Sequence, residues 1–171
     1  FDYGADRVII NRGLWKNPKC IKEISDRYGK QALILSLDFI SSKGFLTSFD
    51  WETKLTRKNF LPTNFDDILP FVGEVFLQDV DHDGRVIGAN VDSIKKVCEF
   101  LPNNMPIHIG SCGLVEWDQY IELLKLDYVD AVSVNNVHHM SAEAIRSLRG
   151  HCIVDKINVR YHEILQNMPH S

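Results

Sequence analysis

The stretch QDVDHDGRVIGAN places Asp79, Asp81 and Asp83 on alternate positions ahead of Gly84, the spacing with which a calcium loop of the EF-hand type begins. Such a loop ends at its twelfth position on a glutamate that grips the ion with both oxygens, and here that position is Asn90. The residues leading in, EVFL from Glu74 to Leu77, form a short apolar run with the character of a strand. The stretch therefore reads as a buried strand ending in an acidic, glycine-bearing turn that leads into a helix. Asp83 and Gly84 are its candidate site residues, and Asp79 and Asp81 read as a solvated acidic patch. Other residues able to do chemistry also close apolar runs: Asn11 and Arg12 after RVII, Asp38 in LSLD, Ser111-Cys112-Gly113 after PIHIG, and Asn135-Asn136 in DAVSVNN. The adjacent His138 and His139 lack a third ligand nearby and read as loop residues. The four cysteines are dispersed with no C-x-x-C, so neither a zinc knuckle nor a disulfide scaffold is suggested. No metal and no cofactor are expected.

The elements that must position these residues follow from periodicity. Strands are expected over 7–11, 31–39, 74–80, 105–110 and 130–136. Helices are expected over 17–29, 64–72 with a break near Pro70, 91–101, 114–127 and 141–150. Asn17 is placed to cap the first helix with Pro18 at its first turn, Gly29 to close it, and Ser141 to cap the last. The run QALILSLDF is apolar on both faces, as in strands of a covered parallel sheet. The polar segment after it, with Lys43-Gly44 between short flanks, reads as a hairpin excursion over about 40–51. Strands alternating with helices imply right-handed crossovers and a parallel sheet, with ligands at the carboxyl ends of its strands. The candidate residues all sit in those loops.

At 171 residues the chain is long enough for one domain with a substantial core and short for two. A net charge of −4 with scattered Lys and Arg argues against a nucleic-acid-binding surface. Apolar runs fall far short of the ~20 residues of a membrane span, and the first residues lack the layout of a secretory signal. The expectation is a cytoplasmic protein with no membrane and no nucleic-acid partner.

In order along the chain, GADRVIIN followed by KNP, a strand ending SLD, then GEVFLQDVDHDG, PIHIGSCG and DAVSVNNVHH resemble strands four to eight of the cyclase subunits of imidazole glycerol phosphate synthase, the HisF-like branch of the histidine biosynthesis family. The resemblance implies a (β/α)8 TIM-barrel fold with its C-terminal five units present, its N-terminal three absent, and residues 1–171 a single partial domain. Five parallel strands leave two edges, so a second copy or another chain completing the sheet is an expectation.

The resemblance also assigns roles. The family uses two aspartates as acid and base for ring closure; Asp38 matches the fifth-strand one, and the first-strand one has no counterpart. A carboxylate at the mouth of an apolar barrel is suited to that work. Asp83 and Gly84 match the family's D-x-D-G-T turn at the substrate, with Arg85 in place of threonine. The substrate carries two phosphates, held by small residues and backbone amides. Asn11 matches one phosphate loop, where Arg12 replaces threonine and offers a charged fork. Ser111 and Gly113 match the seventh-strand S-G-G turn with Cys112 between them, and Asn135-Asn136 replace a small pair after the eighth. At the opposite face, Asp6 matches a docking position for the glutaminase partner, and Arg7 and Glu74 match the gate that admits ammonia.

Three functions are thereby in view. The first is a cyclase-type lyase forming imidazole glycerol phosphate and an aminoimidazole carboxamide ribotide from a phosphoribulosyl-formimino substrate and ammonia. The second is a paralogue serving ammonia-dependent amidation of a surface-polysaccharide sugar, which the changed phosphate loops with a retained gate would suit. The third is an inactive barrel remnant acting as a binding partner, which the missing first-strand aspartate would suit.

Overall fold

The apolar runs pair side by side in chain order. A computed structural model of the chain describes residues 1–85, 87–110, 113, 116–133 and 144–159. Its strands are β1 (Val8–Ile10), β2 (Leu33–Ser42), β3 (Phe45–Asp50), β4 (Leu55–Arg57), β5 (Glu74–Asp79), β6 (Ile107–Ile109) and β7 (Ala131–Val132). Five of them, in the order β1-β2-β5-β6-β7, run parallel. Between them lie α1 (Gly13–Lys16), α2 (Lys19–Tyr28), α3 (Phe65–Ile68), α4 (Val91–Cys98) and α5 (Trp117–Leu124), and α6 (Ala144–Val154) follows. The result is a mixed α/β architecture around one seven-stranded sheet.

β2 is the centre of the sheet. Its first part pairs with β1 on one side and β5 on the other, and its continuation to Ser42 pairs antiparallel with β3. Lys43 and Gly44 join the two with φ of 50° and 82°, the left-handed pair that matches the twist of a tight hairpin. β4 adds a third antiparallel strand.

Alternation divides the parallel strands into two faces. Leu33, Leu35, Leu37 and Phe39 share a face with Val75, Leu77, Ile107 and Ile109, and all are buried against helical residues such as Leu14, Ile21, Ile94 and Leu123. Each such side chain contributes roughly 1.5–3 kcal/mol relative to exposure. The opposite face carries Ile34, Ser36 and Asp38 from β2, Glu74, Phe76 and Gln78 from β5, Ile9 from β1 and His108 from β6.

Local signals acted with some differences. Gly29 closes α2 at φ 83°, its N–H donating to the Ser25 carbonyl at 2.8 Å. Asn17 does not cap that helix with its side chain; Pro18 occupies the cap position, and the Asn17 carbonyl accepts the Cys20 N–H at 3.1 Å. α3 gives way to a 3-10 turn, Leu69–Phe71, at Pro70, which has no N–H to extend the helix. α4 is capped by Asn90, whose side-chain oxygen accepts the Ser93 N–H at 3.1 Å. The residue that would have closed a calcium loop is a helix cap. α6 runs to Val154, four residues past the expected end at 150, and Ser141 lies outside the described residues. No described helix is long and apolar enough to cross a membrane.

Candidate functional site

The carboxyl ends of β1, β2 and β5 bring Asn11, Arg12, Asp38, Asp83 and Gly84 to one end of the sheet, with the tip of the β3–β4 hairpin beside them. Asp38 is at the centre. Because side chains two apart on a strand share a face, the Ser36 hydroxyl reaches it and donates to Oδ1 at 2.7 Å. The Trp51 indole N–H donates to Oδ2 from the hairpin. The carboxylate is buried, with 7% of the residue exposed, and each oxygen has a donor. Asn11, at the end of β1, donates from Nδ2 to the Ser36 carbonyl at 3.3 Å and so sits on the same rim.

The hairpin tip is shaped by Asp50. Its Oδ1 accepts the Glu52 N–H at 2.9 Å and its carbonyl accepts the Lys54 N–H at 2.8 Å, with Lys54 at φ 59°. Arg57 on β4 pairs with the Asp50 carboxylate at 2.6 Å and lies over the Trp15 ring of α1 at 4.6 Å. Trp51 stands edge-on to Phe49 at 4.8 Å between ring centroids. So fixed, the tip presents Glu52 to two cations: Arg12 pairs with it at 2.9 Å, and Lys16 pairs with the same oxygen. Arg12 was expected as an anion fork, and its partner in this structure is a carboxylate of the same chain. Trp51, Glu52 and Lys16 carry no local sequence signal for this role, because each acts across the fold.

The acidic turn after β5 is built from beneath. Asp79 was expected in a solvated patch and is instead fully buried, at 0% exposure. It shares parity with Val75 and Leu77, which carries its side chain to the helix-covered face. Its Oδ1 accepts the Asp81 N–H at 3.2 Å, its Oδ2 lies 2.9 Å from His82 Nδ1, and its carbonyl accepts the Asp83 N–H at 2.9 Å. Burial pushes the Asp79 carboxyl above its ordinary range, and the hydrogen bond and charge of His82 oppose that rise. Gly84 follows at φ 73° and is exposed. Asp83 and Gly84 are thus presented at the rim by a carboxylate anchored in the core.

Gly113 packs against this turn. Its φ is 73°, its carbonyl accepts the Gly88 N–H at 3.1 Å, and a Cβ there would stand 2.2 Å from the His82 carbonyl oxygen. A glycine is required by that approach whatever the loop binds. Ser111 and Asn136, with Cys112, Asn135, His138 and His139, lie outside the described residues.

The gate candidates occupy the other end of the same sheet face. Arg7 Nη1 lies 2.7 Å from Glu74 Oε2, and Glu74 Oε1 lies 3.4 Å from His108 Nδ1. The His108 ring meets Phe76 edge-on at 5.1 Å, and Asp6 is exposed beside Arg7. Glu74 registers with Ile34, four residues before Asp38, so at ~3.3 Å per residue roughly 13 Å separate the two ends. His108 was missed by the sequence reading, although a polar residue alternating with Ile107 and Ile109 marked it as facing away from the core. Among the described residues no three His, Cys, Asp or Glu side chains form a metal-binding group.

A family model described as histidine biosynthesis protein matches residues 1–143. The chain is similar to the imidazole glycerol phosphate synthase subunit HisF of Natranaerobius thermophilus, with 26% identity over 158 residues, 92% of this chain and 62% of the relative. It is 29% identical over 164 residues to the HisF subunit of Sulfurisphaera tokodaii, covering 92% and 61%. To the putative imidazole glycerol phosphate synthase subunit hisF2 of Prochlorococcus marinus it is 30% identical over 124 residues, covering 67% and 44%. The chain therefore spans about 62% of the length of the first of these relatives.

Proposed function

The chain belongs to the histidine biosynthesis protein family, and from that premise we propose that its parallel strands form the later part of a (β/α)8 barrel working as a cyclase-type lyase. In this reading the enzyme closes an imidazole ring on a doubly phosphorylated ribulosyl-formimino substrate with ammonia from a glutaminase subunit. The products are imidazole glycerol phosphate and an aminoimidazole carboxamide ribotide.

One observation carries the proposal: Asp38 is buried near the end of the parallel-paired part of the central strand, while a charged cluster of Arg7, Glu74 and His108 sits at the opposite end of the same face. Asp38 supplies one member of the acid–base pair, moving protons at its Oδ2 once the indole that covers it withdraws. A fixed carboxylate within reach of the reacting atoms is worth about 10²–10⁴-fold in rate. Arg12 binds a substrate phosphate as a charged fork, Asn11 orients the rim, and the Asp83-Gly84 turn contacts the substrate between its ends. Arg7 and Glu74 form the ammonia entry, and Asp6 adds charge where the glutaminase docks.

Calorimetric titration with the doubly phosphorylated substrate or a stable analogue tests the reading, alongside Asp83→Asn. Saturable binding that the substitution weakens is the expected result. Absence of binding at millimolar ligand would overturn the proposed substrate.

A further inference from the structure

The hairpin tip makes two contacts that the cyclase chemistry does not call for, and they are adjacent in sequence. Trp51 donates its indole N–H to Asp38, and Glu52 accepts from both Arg12 and Lys16 on one oxygen. One turn therefore places a donor on the carboxylate proposed for proton transfer and a carboxylate on the cations proposed for phosphate. The turn itself is held by Asp50 and Arg57, and the base of the hairpin is fixed to α1 through Arg57 on Trp15. The Glu52 N–H is itself bonded to Asp50, so the movement proposed below is an exchange of the side-chain contacts of residues 51 and 52 about a held turn.

We propose that Arg12 and Lys16 together form an oxyanion site for a phosphate group, with Glu52 its built-in occupant, and that phosphate entry expels Glu52 and withdraws Trp51 from Asp38. The inference rests on the reading of Asp38 and Arg12 given above. It adds Lys16 as a second ligand and makes the hairpin a gate.

The chemistry favours exchange. Side chains of Arg12, Lys16 and Glu52 are 54%, 51% and 45% exposed, so the pairs are screened by water and hold the tip weakly. A phosphate dianion offers more charge than one carboxylate and several acceptor oxygens, which suit a planar guanidinium fork and an ammonium point charge together. Trp51 and Glu52 are neighbours on one turn, and the gate couples their displacement. Competition is reciprocal: where phosphate expels Glu52, removing the Glu52 charge tightens phosphate binding, and in the proposed gate the Trp51–Asp38 contact loosens when phosphate binds. An empty phosphate site thus keeps Asp38 covered, and a filled one exposes it to the substrate that filled it.

The probe is inorganic phosphate, titrated calorimetrically into the wild-type chain, Glu52→Gln, Glu52→Gln/Lys16→Ala and Arg12→Ala/Lys16→Ala, with circular dichroism to verify folding. Trp51 emission is followed in parallel after Trp15→Phe and Trp117→Phe remove the other two indoles. Glu52→Gln is expected to raise affinity about tenfold, within the usual range of coupling between sites. Lys16→Ala should reverse much of that gain, and phosphate should shift Trp51 emission in the parent. Equal affinity for the parent and Glu52→Gln, with unmoved Trp51 emission, overturns the gate. If Arg12→Ala/Lys16→Ala then abolishes binding, the anion site of the cyclase reading survives without it. Undiminished phosphate binding by Arg12→Ala/Lys16→Ala overturns the anion site as well.

Discussion

Asp38 has a structural duty in its two hydrogen bonds and a chemical one in the proposed function, and two substitutions separate them. Asp38→Ala removes the acceptor for the Ser36 hydroxyl and the Trp51 indole. Hydrogen bonds to a carboxylate are worth about 1.5–3 kcal/mol each. Ser36 is 8% exposed and has little water to replace the loss, whereas Trp51, at 44%, recovers part of its hydration. The net cost should be about 2–4 kcal/mol. Asp38→Asn keeps both bonds: the amide oxygen accepts from Trp51, and the amide nitrogen donates to Ser36, whose hydroxyl serves equally as acceptor. Its cost should stay near 1 kcal/mol, the difference between charged and neutral bonds. Urea unfolding followed by tryptophan emission measures both, with an unchanged dependence on urea marking a true stability change. Under the proposed cyclase function, ring-closure activity should fall roughly 10²–10⁴-fold in each variant, leaving an asparagine form that is folded and inactive. Equal destabilisation by the two substitutions would refute the hydrogen-bond account, and an active asparagine form would refute the acid–base role.

Three further outcomes follow from the packing. Gly113→Ala and Gly84→Ala both force alanine into a left-handed backbone at φ 73°, at about 1–2 kcal/mol. Only Gly113→Ala also drives a methyl to 2.2 Å from the His82 carbonyl, so its urea midpoint should fall further, and equal midpoints would contradict the packing. Asp79 has its carboxyl raised above the ordinary 3.8 by burial, so in that window the folded state holds more protons than the unfolded one. Stability from this group is present below pH 3.8 and is lost as pH rises through the folded value. The stability of the wild type relative to Asp79→Asn should therefore decline as pH rises above 3.8, as unfolding at a series of pH values would show; the opposite slope would refute the burial account. Burial pushes the Cys98 thiol up to about 12, so thiol reagents at neutral pH should modify it no faster than the chain unfolds, read by peptide mass after digestion.

What the sequence made legible is what depends on neighbours in the chain. The parallel order followed from alternating strand and helix patterns, and Gly29 and the Lys43-Gly44 turn carried their own backbone signals. Asn90 disposed of the calcium loop by its amide, although its part as helix cap emerged only with the fold. Long-range contacts were not legible. Glu52 meets Arg12 forty residues away and Trp51 meets Asp38 thirteen away, and no spacing rule covers either. Asp79 was a different failure, because the signal was present. Val75 and Leu77 shared its parity, and a strand reading carried one residue further would have placed it in the core.

That parity decides how the site works. Asp38 registers with Gln78, and Asp79 with Phe39, so the two aspartates stand on neighbouring strands one residue out of step. One residue is enough to send their side chains to opposite faces. Asp38 emerges on the face that holds Asn11 and receives Trp51. Asp79 points into the helix-covered core and spends its acceptors on the turn that lifts Asp83 and Gly84 to the rim. A slip of one residue between β2 and β5 would turn both carboxylates to the same face, so that either Asp38 would leave the rim or Asp79 would leave its place beneath the turn. The register is held by the large apolar set that must stay on one face, Leu33, Leu35, Leu37 and Phe39 against Val75 and Leu77. The hydrophobic core therefore does more than stabilise the sheet; it sets the face on which each aspartate stands.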